Sequence, residues 1–333
     1  MPDPDTTAAD VAAALEELQI RSFDEEIFTM SRKELREHFG FESGGMNCSL
    51  LLKNLIWQDH GKILRGELRP IYGNIRSYWY SRAKPVLARS KAKRYADKYD
   101  MMIGQFVLLI VNRRLMSYSD FKFTDEGAHN RKLGGANRHV FCVAEKSGHW
   151  PFLKQIHHDY DVTIVALGGQ PSALSTEYLL DDLAADGFPP DQPIHLFTIV
   201  DYDPAGDSIA KSFRWQLQAL GFTGEILRTD LVHPRRMSKS QVKLNRFRLS
   251  QAASERKKNQ KWVARGGGLE PYGGGMFYGL EADAMSWEQL TAAFDEEATA
   301  HLTVPRTQII RRRLKEELVD VMQQLFLVRL GVA

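Results

Sequence analysis

Two aspartates separated by a single residue stand near the middle of the chain and have the spacing of a cation site. The stretch before them, Ile194–Val200, is apolar and rich in β-branched residues, which predicts a buried strand. The sequence that follows is Asp201-Tyr202-Asp203-Pro204-Ala205-Gly206. In extended backbone Asp201 and Asp203 share one face, so their charges repel each other unless a cation lies between them. Carboxylate oxygens favour Mg²⁺.

The aspartate pair by itself leaves other interpretations open. An EF-hand calcium loop also begins with two spaced aspartates, but its twelfth residue is a glutamate, where this chain has Ser212. Asp, Pro and Gly are ordinary turn residues, so the pair could form a solvated turn. Asp203 could also cap the helix that follows.

A regular alternation of strand and helix patterns begins after Gly134-Gly135 and positions the pair. The predicted strands are Val140–Ala144, Val162–Leu167, Ile194–Val200 and a fourth that begins at Glu225–Leu227. The helices between and after them are Pro151–His158, Leu174–Leu183 and Ile209–Leu220. This spacing predicts an α/β domain with a parallel, doubly wound sheet. Glu145, Gly168 and Asp201 each follow a strand, so we expect them to meet at one edge.

The region before this alternation has mostly helical patterns. Ser31 and Glu34 have the spacing of a capping box for a helix over Met30–Phe39. The other predicted elements are helices at Ser49–Gln58, Ile75–Arg89 and Phe106–Met116 and a strand at Tyr118–Phe123. Short helices with a hairpin-like strand are typical of a winged-helix DNA-binding domain.

Composition and charge narrow the class of protein. The chain has 333 residues, and its longest apolar run is too short to span a membrane. Cys48 and Cys142 are its only cysteines and lack metal-ligand spacing, so we expect no disulfide framework. The sequence shows no secretory leader. We therefore expect a cytoplasmic, nucleoid-associated protein. Residues 231–266 contain eleven Lys or Arg and one acid, Glu255, and residues 61–100 contain eleven Lys or Arg and three acids. Two such stretches, one interleaved with tyrosines, favour a polyanionic partner.

Three further segments complete the organisation. The first 27 residues are acidic and are predicted to be a flexible N-terminus that grades into a short helix. The basic stretch, at about 235–275, leads through Gly266–Gly268 and Gly273–Gly275, which favours a flexible insertion over a mobile phosphate-contacting loop. Residues 307–330 form an amphipathic pattern that predicts a long helix for core or subunit packing. Its apolar stripe consists of Ile309, Ile310, Leu314, Leu318, Met322 and Leu325.

The motifs together resemble a Toprim domain. The resemblance rests on Glu145-Lys146 after the first strand, Gly168-Gly169 after the second, and Asp-x-Asp-Pro-x-Gly after the third. The last motif and the segment Tyr278-Gly279-Leu280-Glu281-Ala282-Asp283-Ala284 are similar to the A subunit of topoisomerase VI and to its relatives, the meiotic double-strand-break proteins. The short chain is similar to the compact bacterial "mini-A" proteins of that family.

The resemblance implies a tyrosine nucleophile in the N-terminal domain. That family carries it in the form Arg-x-x-Tyr-Tyr, and the segment Arg76-Ser77-Tyr78-Trp79-Tyr80 is similar to it. Tyr80 is thus implied as the nucleophile and Arg76 as its phosphate-contacting neighbour. Because Trp79 replaces the first tyrosine, Tyr78 and the more distant Tyr72 remain alternatives, as does simple packing in the core.

The family also implies a reaction and its partners. Mg²⁺ held by Glu145, Asp201 and Asp203, with Glu145 also catalytic, would assist a transesterification that joins the protein to a 5′ phosphate of double-stranded DNA. A homodimer would supply one tyrosine per strand, acting with the acids of the other subunit. The sequence has no Walker-type loop, so ATP use would require a separate GHKL-type ATPase B subunit.

The expected domain order follows from these segments. It is a flexible N-terminus at 1–27, a CAP-like winged-helix domain at 28–133, a Rossmann-like Toprim domain at 134–290 with the basic insertion, and a C-terminal helical segment at 291–333. Two other functions remain open. One is a Toprim nuclease for defence or plasmid maintenance that hydrolyses DNA without a covalent intermediate, and the other is a DNA-binding scaffold without catalysis.

Overall fold

The chain has a mixed α/β architecture that divides into two compact units. A computed structural model describes residues 7–40, 45–70, 73–250, 252–268 and 277–329. The first unit comprises Met1–Glu126, Ala173–Ala185 and Gln216–Phe222. The second unit comprises Gly127–Ser172, Asp186–Trp215 and Thr223–Ala333. No helix among the described residues is both long and apolar enough to cross a membrane.

The regular elements are numbered in chain order. The helices are α1 (Ala8–Glu17), α2 (Arg32–Phe39), α3 (Cys48–Leu64), α4 (Ile75–Tyr78), α5 (Lys84–Arg89), α6 (Tyr99–Val107), α7 (Trp150–Tyr160), α8 (Ala173–Ala185), α9 (Pro204–Ala219), α10 (Lys239–Asn245), α11 (Ala253–Val263), α12 (Trp287–Ala298) and α13 (Arg306–Arg329). The strands are β1 (Arg131–Lys132), β2 (Asn137–Ala144), β3 (Val162–Ala166), β4 (Ile194–Ile199), β5 (Ile226–Asp230), β6 (Arg246–Arg248) and β7 (Tyr278–Leu280).

The first unit is built from α1 to α6 and α8 around an aromatic-rich core. The predicted capping box of α2 is confirmed, because Ser31 Oγ accepts from the Glu34 amide and Glu34 Oε2 accepts from the Ser31 amide at 2.7 Å. Helix α3 contains the predicted Ser49–Gln58 helix and continues to Leu64.

The predicted strand at Tyr118–Phe123 is wrong. Residues Ser119–Phe121 form a 3₁₀ turn, and Tyr118, Phe121 and Phe123 are all buried in the core. A three-residue turn brings residues 118 and 121 to the same side, so buried aromatics at this spacing do not require a strand. The described residues of the first unit contain no regular strand, and one isolated antiparallel bridge joins Gly40 and Met46.

The short helix predicted within the acidic N-terminal segment is confirmed as α1. Helix α1 begins at a capping box with Thr7, and Leu18 and Ile27 are buried in the core of the first unit. The Ile27 amide donates to Gln58 Oε1 at 2.7 Å. Apolar residues placed between the acids therefore anchor the segment, although acidic residues dominate its composition.

The second unit contains a five-stranded sheet with the order β1-β3-β2-β4-β5. Strands β2 to β5 run parallel, and the short β1 pairs antiparallel to β3 at the edge. The four predicted parallel strands are confirmed, with bounds that differ by a few residues. Strand β3 is buried along its whole length, which is typical of a parallel sheet covered on both faces.

The described part of the basic insertion is folded, contrary to the predicted flexible segment. It contains α10, α11 and β6, and β6 pairs antiparallel with β7. Trp262 of α11 is buried, and Gly267 lies against its indole ring. A large aromatic side chain thus provides a packing centre that charge composition does not reveal. The second glycine cluster, Gly273–Gly275, lies outside the described residues.

The predicted C-terminal helix is confirmed as α13, but its apolar stripe serves two different roles. Ile309 near the beginning of the helix is fully buried. Leu314, Leu318 and Met322 are 58%, 60% and 62% exposed. Among the stripe residues whose side chains the structure describes, Ile309 in the first turns of α13 is the one that is fully buried.

Candidate functional site

The predicted acids lie where the order of the parallel strands reverses. Strand β3 follows β2 in the chain and lies on one side of it, whereas β4 lies on the other side. Glu145 directly follows β2, and Asp201 comes two residues after β4. Open parallel sheets bind their ligands in the crevice at such a switch point. The expectation that these strand ends converge is confirmed.

Backbone contacts hold the three strand ends together. The Glu145 amide donates to Ile199 O at 3.0 Å, and the Asp201 amide donates to Glu145 Oε2 at 3.3 Å. The Gly169 amide, in the glycine turn after β3, donates to Glu145 O at 2.9 Å. Glu145 is therefore the residue that links all three loops.

The acids form a cluster with an excess of negative charge. Burial raises the pKa of Glu145, and the charges of Asp201 and Asp203 raise it further. Burial and the charge of Asp201 likewise raise the pKa of Asp203, although hydrogen bonds from the Gly206 and Ala205 amides act against this. A bound cation would relieve the repulsion among these carboxylates.

Lys146 supplies a positive charge inside this cluster. Its Nζ lies 2.9 Å from Asp283 Oδ2, 3.3 Å from Asp201 Oδ1 and 3.8 Å from Glu281 Oε2. Although burial acts to lower it, the pKa of Lys146 is raised to about 12 by its hydrogen bond to Asp283 and the charge of Asp201. The lysine is therefore charged at neutral pH and partly neutralises the acids.

Two glycines permit the close packing of the Asp201–Asp203 segment. A Cβ on Gly206 would lie 2.0 Å from Asp201 O, and one on Gly279 would lie 2.8 Å from Tyr202 O. Because Gly279 lacks a side chain, β7 can bridge to Tyr202, whose amide donates to Leu280 O at 2.7 Å. The Ala282 amide then donates to Asp201 Oδ1 at 2.8 Å. Both glycines thus shape the backbone beside the acids.

Asp203 also caps helix α9, which is the alternative role that the sequence left open. Its Oδ1 accepts from the Gly206 amide at 2.7 Å, in the first turn of α9. A carboxylate in this position satisfies a free helix amide and interacts favourably with the helix dipole. Helix capping and a place in the acid cluster are therefore combined in one side chain.

The donor chemistry of the cluster fits Mg²⁺, but its arrangement is not a closed set of ligands. Glu145, Asp201 and Asp203 offer only carboxylate oxygens, which hard divalent cations prefer. Across residues 7–40, 45–70, 73–250, 252–268 and 277–329, no three His, Cys, Asp or Glu residues are grouped so that they could hold a metal ion. The Asp201 Oδ1 atom contacts both Lys146 and the Ala282 amide, so Lys146 would compete with a cation for this oxygen.

In the first unit the helical turns around Tyr80 separate the candidate tyrosines. Tyr78 is fully buried, and its hydroxyl donates to Asp59 Oδ2 at 2.9 Å. Tyr80 is 54% exposed, and Lys84 Nζ lies 5.0 Å from the centroid of its ring. Residues two apart on a helix point in nearly opposite directions, which explains the difference. Tyr72 lies outside the described residues.

A π-helical turn at Trp79–Ala83 interrupts the predicted Ile75–Arg89 helix at Tyr80. The Lys84 amide donates to Trp79 O, five residues earlier. Pro85 follows; it has no amide hydrogen, and its ring would clash with the Ser81 carbonyl in a regular α-helix. The wider turn accommodates the proline, and such turns occur often at functional sites.

Arg76 is exposed on the helical turn before Tyr80 and has Tyr99 in its electrostatic neighbourhood. Burial raises the pKa of Tyr99, while the charge of Arg76 acts to lower it. The Tyr99 ring packs edge-to-face on Trp79 at 5.9 Å. Trp79, which stands where the family motif has its first tyrosine, is buried and packs in the core.

Three residues that lie beside the acid cluster, Lys146, Asp283 and His149, have no role predicted from the sequence. Lys146 and Asp283 stand inside the motifs of the resemblance, but their ion pair joins positions 137 residues apart in the chain. His149 is buried, and its Nε2 lies 3.4 Å from Asp283 Oδ1. Burial lowers the pKa of His149, which keeps the ring neutral at neutral pH. No sequence signal singles out His149.

The predicted site residues therefore fall into two groups. Glu145, Asp201 and Asp203 meet in the second unit, and Arg76 and Tyr80 lie close together along the chain in the first unit.

A comparison of the chain with protein-family models, with curated proteins and with solved structures found no match.

Proposed function

We propose that the chain is a DNA-cleaving protein of the topoisomerase VI A-subunit kind that forms a covalent bond with DNA through Tyr80. The observation that carries the proposal is the contrast between the two neighbouring tyrosines. Tyr80 is exposed with Lys84 near its ring and Arg76 four residues earlier in the chain, whereas Tyr78 is buried and hydrogen-bonded to Asp59. Only Tyr80 of this pair is accessible to a phosphodiester.

In the proposed reaction, Tyr80 Oη attacks a DNA phosphorus, and the bond from phosphorus to the 3′ oxygen breaks. Tyr80 Oη loses its proton on attack, and the leaving 3′ oxygen gains one, so the products are a 5′-phosphotyrosyl bond and a 3′ hydroxyl. Arg76 would hold a non-bridging phosphate oxygen with its planar guanidinium. Because the phosphodiester is exchanged for another ester, the step is reversible and needs no added energy source. A separate ATPase subunit stays a prediction.

Glu145, Asp201 and Asp203 would hold Mg²⁺ after their side chains turn toward a shared ion, because the described arrangement does not group them as ligands. When bound, the ion would supply positive charge for the scissile phosphate and the leaving oxygen. Lys146 is charged at neutral pH and already pairs with Asp283, so after leaving Asp201 it would be free to contact a DNA phosphate. The Gly206 and Ala282 amides keep the two aspartates in position throughout.

The proposed protein acts as a homodimer, so that each subunit cuts one strand. Support comes from the apolar stripe on α13, where Leu314, Leu318 and Met322 are largely exposed. Exposed apolar side chains in a row along one helix are typical of a surface that packs against another chain.

The decisive experiment tests for a covalent adduct. The full chain is incubated with labelled supercoiled DNA and Mg²⁺, and the products are separated on a denaturing gel. The wild-type protein is expected to give labelled DNA attached to protein. Tyr80→Phe is expected to remove the adduct and to keep the wild-type stability, because the hydroxyl belongs to an exposed side chain.

Tyr78→Phe is the matched control. It is expected to retain the adduct and to lower the free energy of unfolding by about 1–3 kcal/mol, because the variant cannot make the buried hydrogen bond to Asp59. An adduct that persists in Tyr80→Phe and disappears in a folded Tyr78→Phe would falsify the assignment of the nucleophile.

A metal-dependent nuclease is the second candidate function, and one observation favours it. The acids, Lys146 and His149 all belong to the second unit, so hydrolysis by water needs no group from the first. In that case the gel shows cut DNA free of protein, Tyr80→Phe cuts normally, and Asp201→Asn does not cut. Binding without any cut would instead support a scaffold.

A further inference from the structure

The basic insertion is anchored beside the acid cluster by the residue between the two aspartates. The Tyr202 ring packs against Trp262 of α11 with centroids 5.1 Å apart, and against His233 at the same distance. The Tyr202 hydroxyl lies 3.4 Å from Gly268 O. The C-terminal end of α11 is therefore fixed next to Asp201 and Asp203.

The other end of the insertion is tied to the same segment of backbone. Strand β6 pairs with β7, and Leu280 of β7 bridges to Tyr202. The Leu249 amide donates to Phe277 O at 2.9 Å, which extends this connection. Asn259 of α11 is buried and donates to Ser250 O at 2.8 Å. The middle and the C-terminal end of α11 thus have defined contacts within the second unit.

Helix α11 presents positive charge that the described structure does not neutralise. Arg256, Lys257 and Lys261 are exposed and form no salt bridge with any residue among those that the structure describes. Lys258 pairs with Glu255 at 3.3 Å, and Arg265 pairs with Asp207 at 3.2 Å. Lys257 and Lys261 are four residues apart, so they lie one turn apart on the same face.

We infer that α11 is a binding surface for the phosphate backbone of duplex DNA, positioned beside the acid cluster by the contact between Trp262 and Tyr202. The inference deepens the proposed function, from which the choice of DNA as the polyanion follows. Two lysines one turn apart can each neutralise a phosphate along one DNA strand. Contacts to phosphate do not distinguish one base sequence from another. The surface would hold DNA without regard to its sequence.

The test compares two double variants of the full chain by DNA-binding anisotropy in EDTA, so that binding is measured apart from cleavage. Lys257→Gln with Lys261→Gln is expected to weaken binding equally on DNA of different sequences. It should also lower the slope of log affinity against log salt by about 2, roughly one for each phosphate that is no longer neutralised. The control is Lys132→Gln with Lys154→Gln, which removes the same charge from exposed positions on β1 and α7. The control is expected to keep the wild-type slope.

Three outcomes would overturn the inference. One is a wild-type slope in the α11 variant, and another is an equal decrease in both variants, which would reflect net charge alone. A third is a lower salt slope with single-stranded DNA and a wild-type slope with duplex DNA in the α11 variant. Failure here with a normal Tyr80 adduct rejects the surface and leaves the proposed function intact. A reduced slope in the α11 variant of a protein that forms no adduct keeps the surface and rejects the reaction.

Discussion

Tyr78 and Tyr80 illustrate how a difference in burial separates two chemically equal side chains. The Tyr78 hydroxyl serves Asp59, which also receives a hydrogen bond from Arg82 Nε at 3.0 Å, and both partners are buried. Tyr80 is not buried in the core. Its exposure leaves the hydroxyl accessible to a phosphate, as the proposed reaction requires.

Glu177 of α8 is a second residue whose surroundings determine its chemistry. It is 6% exposed, and its Oε1 accepts from the Ser119 amide at 3.0 Å. Burial raises the pKa of Glu177 to about 7, with a further rise from the charge of Asp181 and an opposing effect of the Ser119 hydrogen bond. The folded state therefore prefers the protonated acid.

The raised pKa predicts a loss of stability between about pH 5 and pH 8. The contribution of Glu177 is fully present below its unfolded pKa and is lost as the pH rises through about 7. Glu177→Gln keeps an acceptor for Ser119 and cannot ionise. From pH 5 to pH 8 the variant should gain about 2–3 kcal/mol relative to wild type, measured by urea unfolding at both values. Parallel pH profiles for the two proteins would contradict the prediction.

At the scale of elements, the junction between β4 and α9 depends on close backbone packing. The first turn of α9 crosses directly over Asp201 O, and Gly206 leaves room for it. The same junction orients Asp201 and Asp203, so stability and site geometry are coupled there.

Gly206→Ala is accordingly expected to destabilise the protein by about 1–3 kcal/mol and to lower Mg²⁺-dependent DNA cleavage as well. The added Cβ would lie 2.0 Å from Asp201 O, and backbone cannot move aside as a flexible side chain can. Gly104→Ala in α6 is the matched control, because nothing lies within 4 Å of its added Cβ. The control should be neutral or should stabilise by up to about 1 kcal/mol. Chemical denaturation and the cleavage assay measure both effects, and equal stabilities of the two variants would refute this explanation.

At the scale of the whole molecule, the exposed apolar stripe on α13 is the surface that a second copy of the chain would cover. Helix α13 is docked at its beginning, where Arg306 pairs with Asp159 at 2.8 Å and Arg312 pairs with Asp161 at 2.9 Å. Beyond these contacts Leu318 and Met322 are largely exposed. A second copy of the chain fits the proposed need for two cuts.

Leu318→Glu is therefore expected to convert a dimer into a monomer without lowering the stability of the subunit. A charge placed in an apolar interface must be desolvated, whereas at an exposed position it costs little. Leu64→Glu is the control, since Leu64 is 63% exposed at the end of α3 and is similar in size and exposure. Sedimentation equilibrium measures the mass of each variant. A wild-type protein that is monomeric at all concentrations would reject the dimer.

Local patterns in the sequence determined much of the second unit and the beginning of one helix in the first. The parallel strands, the capping box of α2 and the placement of Glu145 and Asp201 after strands all follow from apolar periodicity and end signals within short windows. These are effects of near neighbours in the chain, so the sequence alone is sufficient to predict them.

Other features arise only when distant segments meet. The ion pair of Lys146 with Asp283, the packing of Trp262 on Tyr202 and the anchoring of Ile27 by Gln58 join residues far apart in the chain. The choice between Tyr78 and Tyr80 likewise depends on which side of one helical segment faces the core. The sequence thus determined which groups could do chemistry. The tertiary structure decided which of them are exposed, charged or paired, because burial and long-range contacts set those properties.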